Sequence, residues 1–449
     1  DLFYVDLVIK LICHSLPFLS FPYSHCEKIH EFDESGLIQP PPSQKVAGML
    51  SLEQAVEKTL ASVARLEPEF VVLNEAYRRY AAQNLHANVS LPGFDNSAMD
   101  GYAVISSDLK GASEKTPTSL QNIGVVPAGD GPDKKITPGC CMRIFTGSPI
   151  PEGANAVVMQ EGCEINTNEN RVLCADEVKP WENIRMKGED VQTGDQLLTK
   201  GQKINTGALG LLAATGHHQI KVGRQPNVGI ISTGNELVEA PKKLTTGKIY
   251  DSNRTMLASL VSRSNGVPKI YPIVPDNLEE TCSALKTAFQ ENDIILSSGG
   301  VSVGDHDHVK PAIEQIGGTI DIWKVSIKPG KPFVLGQVND RALFGLPGNP
   351  ASALVTFQLL VLPALLKMQG ASDCRLAKRR GELTEEFANK GDRRHFVRVS
   401  INSQGQVVST GGQRSHMLGS LAKANALLDV PPASRLNKGD LVEVLMIED

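Results

Sequence analysis

The sequence predicts a multidomain protein with a central, mostly parallel α/β domain flanked by β-rich domains. With 449 residues, the chain is longer than one ordinary hydrophobic core accommodates. Between residues 225 and 373, short apolar strand patterns alternate with helical patterns, which is typical of a parallel sheet covered by helices. The segments on either side contain many glycines and prolines among short β-branched runs, which indicates short strands joined by turns.

Residues 1–48 are predicted to be an extension outside the folded domains, disordered or not native to them. Their first 22 residues are apolar, but no uninterrupted stretch reaches the length of about 18 residues that a membrane helix needs. A basic start and a small-residue cleavage site, which mark a signal peptide, are both missing. A proline-rich stretch, GLIQPPPSQ, follows. The residues that interrupt the apolar run are Asp6, Lys10, His14 and Pro17. The alternative interpretation of residues 1–48 is a membrane or partner anchor.

The folded part is predicted to begin with a helix at Met49. Ser51 is its candidate N-cap, and Gln54 completes a capping box three residues later. Apolar residues at spacings of three and four continue the helical pattern to about Asn84. The expected domains are a linker domain of residues 49–90 and 190–224, a β-rich domain of 91–189, the α/β domain of 225–373 and a β-barrel-like domain of 374–449. A second helix of the linker domain is expected to start at Asn205.

Within the α/β region, polar residues collect where the predicted strands end. Ligands of open α/β sheets bind beyond the carboxyl ends of the strands. Glycines and hydroxyl groups at these ends, as in SSGGVS at residues 297–302, suit a phosphate or another anion. A lone glycine loop of this kind is also a common structural turn. Four carboxylates at the same edge suit a cation or a proton, and they are Glu236, Asp276, Asp305 and Asp307.

Three lysines are predicted to complete an anion and metal site. Lys324 and Lys328 are four residues apart on one predicted strand, so both would point to the same face, and Lys331 follows a Pro-Gly turn. His306 and His308 alternate with aspartates, but helix capping or solvent exposure explains them more simply than a metal quartet does.

Composition excludes several other classes of protein. A net charge of -5 and an aromatic content of 5% do not indicate a nucleic-acid-binding surface. Eight cysteines without a CxxC pair indicate reduced thiols in a cytoplasmic protein and no structural zinc site. The hydrolase GxSxG elbow and the Walker phosphate loop are both missing from the sequence.

Eight motifs together resemble the molybdopterin molybdenumtransferase family, which includes bacterial MoeA and the E domains of gephyrin and its plant counterpart. The resemblance runs in order from Met49 to the C-terminus. The motifs are LPGFDNSAMDGYAV, RIFTGSPIPEGANAVVMQE, NIRMKGED, STGNELVE, GKIYDSNRTML, SSGGVSVGDHDHVK, IKPGKPFVLG and GLPGNPASALVTF.

The resemblance implies the last step of molybdenum cofactor synthesis. Such enzymes bind molybdate and adenylylated molybdopterin, cleave the phosphoanhydride with a divalent metal such as Mg²⁺, and release AMP. Their four-domain subunits form an elongated homodimer, in which a molybdopterin-binding α/β domain faces the β-rich domain of the partner subunit. The resemblance further implies transient contact with the molybdopterin adenylyltransferase and with molybdoenzyme apoproteins. It implies no nucleic-acid or membrane partner.

The resemblance also assigns site residues, motif by motif. Which carboxylate binds metal and which acts as a base stays open, and Asp100 and Thr146 are alternatively residues that shape the cleft. Asn235 receives no role, because many relatives have Asp there. The residues implied for catalysis are Asp100, Thr146, Glu236, Asp276, Asp307, Lys324 and Lys328, with Glu236, Asp276 and Asp307 as metal ligands. Those implied for substrate binding are Arg185, Asp190, Gly299, Gly300, Ser302, Lys331, Pro347, Pro350, Ser352, Arg398 and Ser415.

Within this set, the resemblance implies a molybdate pocket. It would comprise Lys328, Lys331, Ser352, Arg398 and Ser415, with Arg394 as the alternative to Arg398. Tetrahedral oxyanions are bound by cationic side chains, hydroxyls and backbone N–H groups, which agrees with this composition. Two rival functions are a scaffold that binds protein partners and adenylyl transfer to molybdopterin. The presence of Glu236, Asp276 and Asp307 disfavours the first, and the additional β-rich domains disfavour the second.

Overall fold

The computed structural model describes residues 49–299 and 308–448 of the chain. The predictions for the extension of residues 1–48 lie outside these described residues. So do those for Gly300, Ser302, Asp305, His306 and Asp307. The described residues form four structural units, of which the first combines two separate segments of the chain.

The first unit begins with the predicted helix, which spans Leu52–Ala61. Its capping box is confirmed. The Ser51 hydroxyl accepts a hydrogen bond from the Gln54 N–H, and the Gln54 side chain accepts one from the Ser51 N–H. Leu52 and Ala55 lie on the buried face of the helix, within the core of the α/β unit. The first helix is therefore anchored to the domain that follows much later in the sequence.

The chain between this helix and Asn84 is not helical, so the prediction of a continuous helical segment is wrong there. Pro68 disfavours the helical conformation of the residue before it. The β-branched sequence that follows forms the strand Glu69–Val72 and a short 3-10 turn, Leu73–Glu75. The apolar spacing of this segment therefore reflects a half-buried strand and a turn.

Two antiparallel strand pairs join residues 69–86 to residues 196–222. The helix between the later strands, Thr206–Ala214, is N-capped by Asn205 as predicted, since the Asn205 side chain accepts a hydrogen bond from the Ala208 N–H at 2.8 Å. The two segments thus form one structural unit although a whole domain separates them in sequence. The pairs are Glu69–Val72 with Gln219–Val222 and Leu85–His86 with Gln196–Leu198.

The second unit confirms the predicted β-rich domain. It contains a six-stranded, mostly antiparallel sheet and a further short pair, Asn96–Ser97 with Ile184–Arg185. Buried residues of its central strands form two small clusters, one on each side of the sheet. The strands, in order across the sheet, are Ala156–Met159, Gly101–Val104, Cys140–Ile144, Thr118–Val126, Arg171–Cys174 and Cys163–Asn166.

The third unit is the predicted α/β domain, and its six-stranded sheet is mostly parallel. The register places Ser232 beside Ser298 and Ser298 beside Leu346, so three neighbouring parallel strands end level with one another. This shared edge is called the strand-end edge below. The strands, in order across the sheet, are Val267–Ile270, Asn227–Ser232, Ile294–Ser298, Arg341–Leu346, Pro332–Val338 and Thr319–Lys324, of which the last two run antiparallel to their neighbours.

Helices cover both faces of this sheet. Adjacent strand residues point to opposite faces, so Ile230 belongs to one hydrophobic cluster and Ile231 to the other. The helix Asn253–Arg263 contributes Leu257 to the first cluster. On the opposite face, Leu278–Glu291 and Val309–Gln315 contribute Leu285 and Ile313.

The helical segment from Pro350 to Met368 is the most apolar part of this domain. It consists of Pro350–Thr356, a π-helical turn over Phe357–Val361, and Leu362–Met368. Within the described part of the chain, it is the one helix long and apolar enough to cross a membrane, and 89% of its most apolar window is buried inside the protein. Its packing in the first cluster accounts for its composition.

The C-terminal unit is a closed five-stranded barrel, as the predicted β-barrel-like domain requires. The short strand Ile327–Lys328 from the α/β unit pairs in parallel with its longest strand, so the two units share backbone hydrogen bonds. A short antiparallel pair, Phe387–Asn389 with Ser434–Leu436, and the short helix Leu418–Leu421 complete the unit. The barrel strands, in order, are Arg394–Ile401, Gln406–Ser409, Lys378–Leu383, Leu441–Met446 and Ala426–Val430, which pairs again with the first.

Candidate functional site

The strand-end edge has a close-packed backbone. Gly299 has a φ of +86°, and a Cβ there would lie 3.1 Å from the Thr233 carbonyl oxygen. A Cβ on Gly348 would lie 3.8 Å from the Gly299 Cα, so the turns after two neighbouring strands meet. Pro347 is buried beneath this meeting point, and Pro350 begins the following helix. Gly299, Pro347 and Pro350, all predicted as binding residues, therefore lie at one edge.

Asn253 joins two of these turns, although sequence reasoning gave it no role. Its side-chain amide donates to the Ser298 hydroxyl at 2.8 Å and to the Gly348 carbonyl at 2.7 Å. The side chain is 7% exposed, and its Oδ1 is buried without a hydrogen-bond partner among the described residues. Asn253 begins a helix immediately beyond the DS sequence, whose Asp251 carboxylate caps the helix. The polar Asn253 in the first turn of this helix is the feature of the sequence that could have indicated its role at the site.

Replacing Asn253 by Ala is expected to lower the free energy of unfolding by about 1–3 kcal/mol, because the Gly348 carbonyl and the Ser298 hydroxyl each lose a donor. It is also expected to weaken binding of a ligand at the strand-end edge, since the two turns lose their shared bond. Urea unfolding and ligand titration measure both effects. Thr255→Ala, an exposed change in the same helix, is the control. Equal effects of the two variants would show that the bridge is unimportant.

Two predicted carboxylates follow neighbouring strands at this edge. The Asp276 carboxylate accepts from the Asn235 N–H at 3.0 Å, and the Asn235 side chain accepts from the Asp276 N–H at 3.2 Å. This reciprocal pair fixes Asp276, so Asn235 does have a structural role. Glu236 is exposed, and its Oε2 lies 2.5 Å from the position of a Cβ built on Gly234. Among residues 49–299 and 308–448, no three His, Cys, Asp or Glu side chains are grouped as metal ligands.

The predicted lysines do not share one strand, so that expectation is wrong. Lys324 ends the strand Thr319–Lys324, whereas Lys328 lies on Ile327–Lys328, which pairs with the barrel. The chain leaves the α/β sheet between them, because Leu50 exchanges backbone hydrogen bonds with Lys324 and Ser326. Lys328 lines the cavity described next. Lys324 is exposed and is not part of that cavity.

A cationic cavity of about 720 Å³ lies between the α/β unit and the barrel. Lys328, Lys331, Ser352 and Ser415, all predicted for the molybdate pocket, line it together. The Ala351 N–H donates to the Ser415 carbonyl at 3.0 Å and thereby joins the walls from the two units. Among the described residues, its lining contains cations, hydroxyls and an amide but no carboxylate. The lining residues are Lys328, Pro329, Gly330, Lys331, Pro332, Ser352, Arg393, His395, Gln413, Arg414, Ser415 and His416.

Neither arginine suggested for this pocket lies in its lining. Arg394 is bound instead to Glu53 and Asp429. Arg398 is fully buried on the outer side of the barrel, where it donates to the Ser420 hydroxyl and to the carbonyls of Gly412 and Arg414. Alternation along the strand turns Arg394 and Arg398 to the side opposite His395. Arg393, just before the strand, lines the cavity. The consecutive basic residues Arg393 and Arg394 at the strand start are the feature of the sequence that could have indicated its role.

Arg398 acts on the cavity through the loop that it holds. Burial lowers the pKa of its guanidinium. Arg398→Lys is expected to reduce the free energy of unfolding by about 1–2 kcal/mol, because a lysine cannot reach the same carbonyls with a planar fork. The affinity for an oxyanion should also decrease in this variant, since the loop that Arg398 holds supplies Ser415 to the cavity. Chemical unfolding and oxyanion titration check both effects. Unchanged affinity in a destabilised variant would show that the loop is held independently.

His395 also lines the cavity and is neutral at ordinary pH. Burial, together with the charges of Lys328, Arg398 and Arg393, lowers its pKa from 6.5 to about 4. The unfolded chain therefore binds a proton here between these two pH values while the folded protein does not. Stability should fall as the pH decreases from about 6.5 to about 4, and His395→Gln should flatten this part of the profile. Thermal unfolding across that range measures it, with the exposed His416→Gln as the control.

The remaining predicted residues lie in the β-rich unit or, in the case of Asp190, directly after it. The Asp100 carboxylate accepts from the Thr146 N–H at 2.7 Å and from the Thr146 hydroxyl at 2.8 Å, and these bonds lower the pKa of Asp100. Arg185 and Asp190 are both exposed. Four large apolar side chains in the same segments are also exposed to solvent. They are Phe94, Met99, Trp181 and Met186.

Family models cover most of the described chain in three consecutive matches. Residues 50–216 match the MoeA N-terminal region, domains I and II. Residues 229–367 match a probable molybdopterin binding domain, which contains the strand-end edge. Residues 380–447 match the MoeA C-terminal region, domain IV, which is the barrel. The first match covers both the linker unit and the β-rich unit.

Curated relatives and solved structures agree with these matches. The molybdopterin molybdenumtransferase of Haemophilus influenzae is 39% identical over 387 residues, which cover 85% of this chain and 94% of that protein. The Bacillus subtilis protein of the same name is 34% identical over 410 residues, covering 89% and 94%. The crystal structure of the molybdopterin biosynthesis moeA protein from Pyrococcus horikoshii matches with a TM-score of 0.76 at 30% identity, covering 89% of this chain and all of that one. The chain belongs to the MoeA family of molybdopterin molybdenumtransferases.

Proposed function

We propose that this enzyme inserts molybdenum from molybdate into adenylylated molybdopterin, with cleavage of the phosphoanhydride and release of AMP. Membership of the family makes it a transferase of molybdenum cofactor biosynthesis. The cationic cavity gives this proposal its strongest support, since a cavity with two lysines, two arginines and no carboxylate among its lining residues suits a small dianion. Cytoplasmic location remains part of the proposal, in line with the free cysteines of the described chain.

The two halves of the site are connected by one short segment. Gly348 and Pro350 lie at the strand-end edge, and Ser352, two residues further, lines the cavity. A pterin nucleotide at the edge would therefore approach an oxyanion in the cavity without a domain movement. Gly330 lets the turn at the cavity wall approach the following helix closely, because a Cβ at position 330 would lie 2.5 Å from the Thr356 hydroxyl oxygen. Proximity of the two reactants is the main contribution of this arrangement to catalysis.

The side chains divide into two chemical groups. Lys328, Lys331 and Arg393 would bind molybdate as charge-assisted donors, and Ser352 and Ser415 would orient it by their hydroxyls. At the strand-end edge, Glu236 and Asp276 are described carboxylates that follow two neighbouring strands. Glu236 is exposed and Asp276 is partly exposed, and such positions suit a base for an attacking water or a partner for a cation.

A divalent cation such as Mg²⁺ fits the donor types at this edge. Mg²⁺ is commonly held by one or two carboxylates together with water and substrate phosphates, so Glu236 and Asp276, with Asp307 from outside the described residues, would suffice. When bound, the ion would neutralise charge on the pyrophosphate and on the departing AMP.

AMP release from adenylylated molybdopterin tests this function directly. The full chain is incubated with Mg²⁺, with or without molybdate, and sulfate serves as the control oxyanion. We expect AMP release to be stimulated by molybdate, and molybdenum to be recovered on the pterin. ATP-dependent adenylylation of molybdopterin by the same preparation would favour the sister reaction. Absence of both activities in folded protein would favour a scaffold.

We further propose that the working unit is a homodimer. The four exposed apolar side chains beside Asp100 and Arg185 support a second chain covering that part of the β-rich unit. Light scattering gives the mass, and co-expression of Asp100→Ala with Asp276→Asn tests the shared cleft. Mixed dimers should regain part of the activity if each cleft combines two subunits. No recovery in verified mixed dimers would locate both residues in one subunit's cleft.

A further inference from the structure

His395 occupies a particular position in the cavity wall. It lies on the longest barrel strand, where it is the parallel register partner of Lys328 on one side and the antiparallel partner of Val430 on the other. Its Nε2 is buried and has no hydrogen-bond partner in the described part of the chain. A buried polar nitrogen without a partner is costly unless a ligand or water satisfies it. The orphan nitrogen therefore points to a ligand group within the cavity.

The groups that surround this imidazole are almost all cations. Lys328 comes from the paired strand, Arg393 precedes His395 in the chain, and Arg398 follows on the same strand. Lys331, Arg414 and His416 line the same cavity from the neighbouring loops. On the other flanking strand, the carboxylate of Asp429 is bound to Arg394 and is not available to the imidazole. In the free protein, burial and the charges of Lys328, Arg398 and Arg393 hold the pKa of His395 at about 4.

A bound dianion reverses this electrostatic balance. Its two negative charges offset part of the positive charge of the lysines and arginines, so the repulsion on an imidazolium decreases and a direct attraction to the dianion is added. Linkage requires the converse as well: if anion binding favours the protonated ring, protonation favours anion binding.

We propose that His395 is a proton-coupled ligand of the oxyanion, donating an Nε2–H hydrogen bond to the bound dianion while its ring takes up one proton from solvent. The inference rests on the proposed function, because it requires molybdate in this cavity. It makes affinity for the dianion increase as the pH decreases, and it returns the proton to solvent when the cavity empties. His395 thereby becomes an oxyanion-binding residue in addition to the lysines and serines.

Calorimetry on the full chain tests proton uptake without any catalytic readout. Molybdate is titrated at pH 6, 7 and 8 in buffers of different ionisation enthalpy, and the slope of the observed heat gives the protons taken up. We expect about half a proton or more at pH 6, with affinity rising several-fold from pH 8 to pH 6. His395→Gln should bind with much smaller uptake and a flatter pH profile. His416→Gln, another imidazole of the lining, should keep the uptake if His395 is its source.

Histidine NMR on the wild-type chain gives an independent answer. With ¹³Cε1-labelled histidine, the resonance missing from His395→Gln identifies the ring. It should remain neutral at pH 6 in the free protein and become imidazolium with saturating molybdate. Molybdate binding with a neutral ring, or with equal proton uptake in His395→Gln, would overturn this inference alone. No molybdate binding at all would instead overturn the proposed function and this inference with it.

Discussion

Asp276→Asn is expected to reduce AMP release by roughly 100-fold or more, since it removes a full negative charge where the pyrophosphate and its cation would bind. The substitution preserves shape, and the new amide oxygen can still accept the Asn235 N–H that the carboxylate accepts now. Folding and molybdate binding should therefore change little. The effect should appear in kcat, since the lost interaction acts on charge that develops during cleavage.

Single-turnover AMP release at saturating molybdate measures this effect, with an unfolding curve to verify stability. Glu279→Gln provides the matched control, because Glu279 is an exposed acidic residue three positions further along, in the first turn of the next helix. A loss shared equally by both variants would indicate a general field effect. Unchanged turnover in Asp276→Asn would exclude Asp276 from the chemistry.

Lys331→Ala is expected to weaken molybdate binding by about 10- to 100-fold, the loss of one charge-assisted hydrogen bond of roughly 1.5–3 kcal/mol. Lys331 follows the Pro-Gly turn and lines the cavity with an exposed side chain, so its removal should leave the fold unchanged. The KM for molybdate should rise, while turnover at saturating molybdate changes less. Calorimetric titration and initial rates separate these effects.

Lys438→Ala is the matched control for this lysine. It removes the same charge from an exposed position in the C-terminal unit that does not line the cavity. Screening by salt should make its effect on affinity small. Equal weakening by Lys331→Ala and Lys438→Ala would mean that the overall charge of the protein, and not a contact in the cavity, controls binding.

Sequence patterns predicted the strands of the α/β domain and the starts of the two linker-unit helices well, because each of these signals is local. A buried strand such as Asn227–Ser232 is a continuous apolar run, and the capping residues at Ser51 and Asn205 act within one helical turn. The segment before Asn84 was mispredicted as helix because its partner strand lies at Gln219–Val222, far along the chain. Helical and strand periodicity cannot be separated over so few residues without knowing that partner.

The cavity was only partly predictable for a similar reason. Lys331 and Ser352 belong to recognisable motifs of the α/β domain, and the structure brings both into the lining. Arg398 was expected there from its residue type, but alternation along the strand turns it to the outer side of the barrel, where the loop that contains Gly412 and Arg414 covers it. The inside and the outside of a short barrel strand are fixed by closure of the sheet, which one sequence does not reveal. Arg393 and His395 were missed for the same reason.

Anomalous diffraction from crystals soaked in molybdate tests the central claim most directly. The molybdenum signal locates the oxyanion independently of activity and of any assumed mechanism. We predict one dominant peak in the cavity, within hydrogen-bond distance of Lys331, Ser352 and Ser415, which is lost in crystals of Lys331→Ala. A dominant peak elsewhere, or an empty cavity at saturating molybdate, would contradict the assignment of this cavity as the molybdate site.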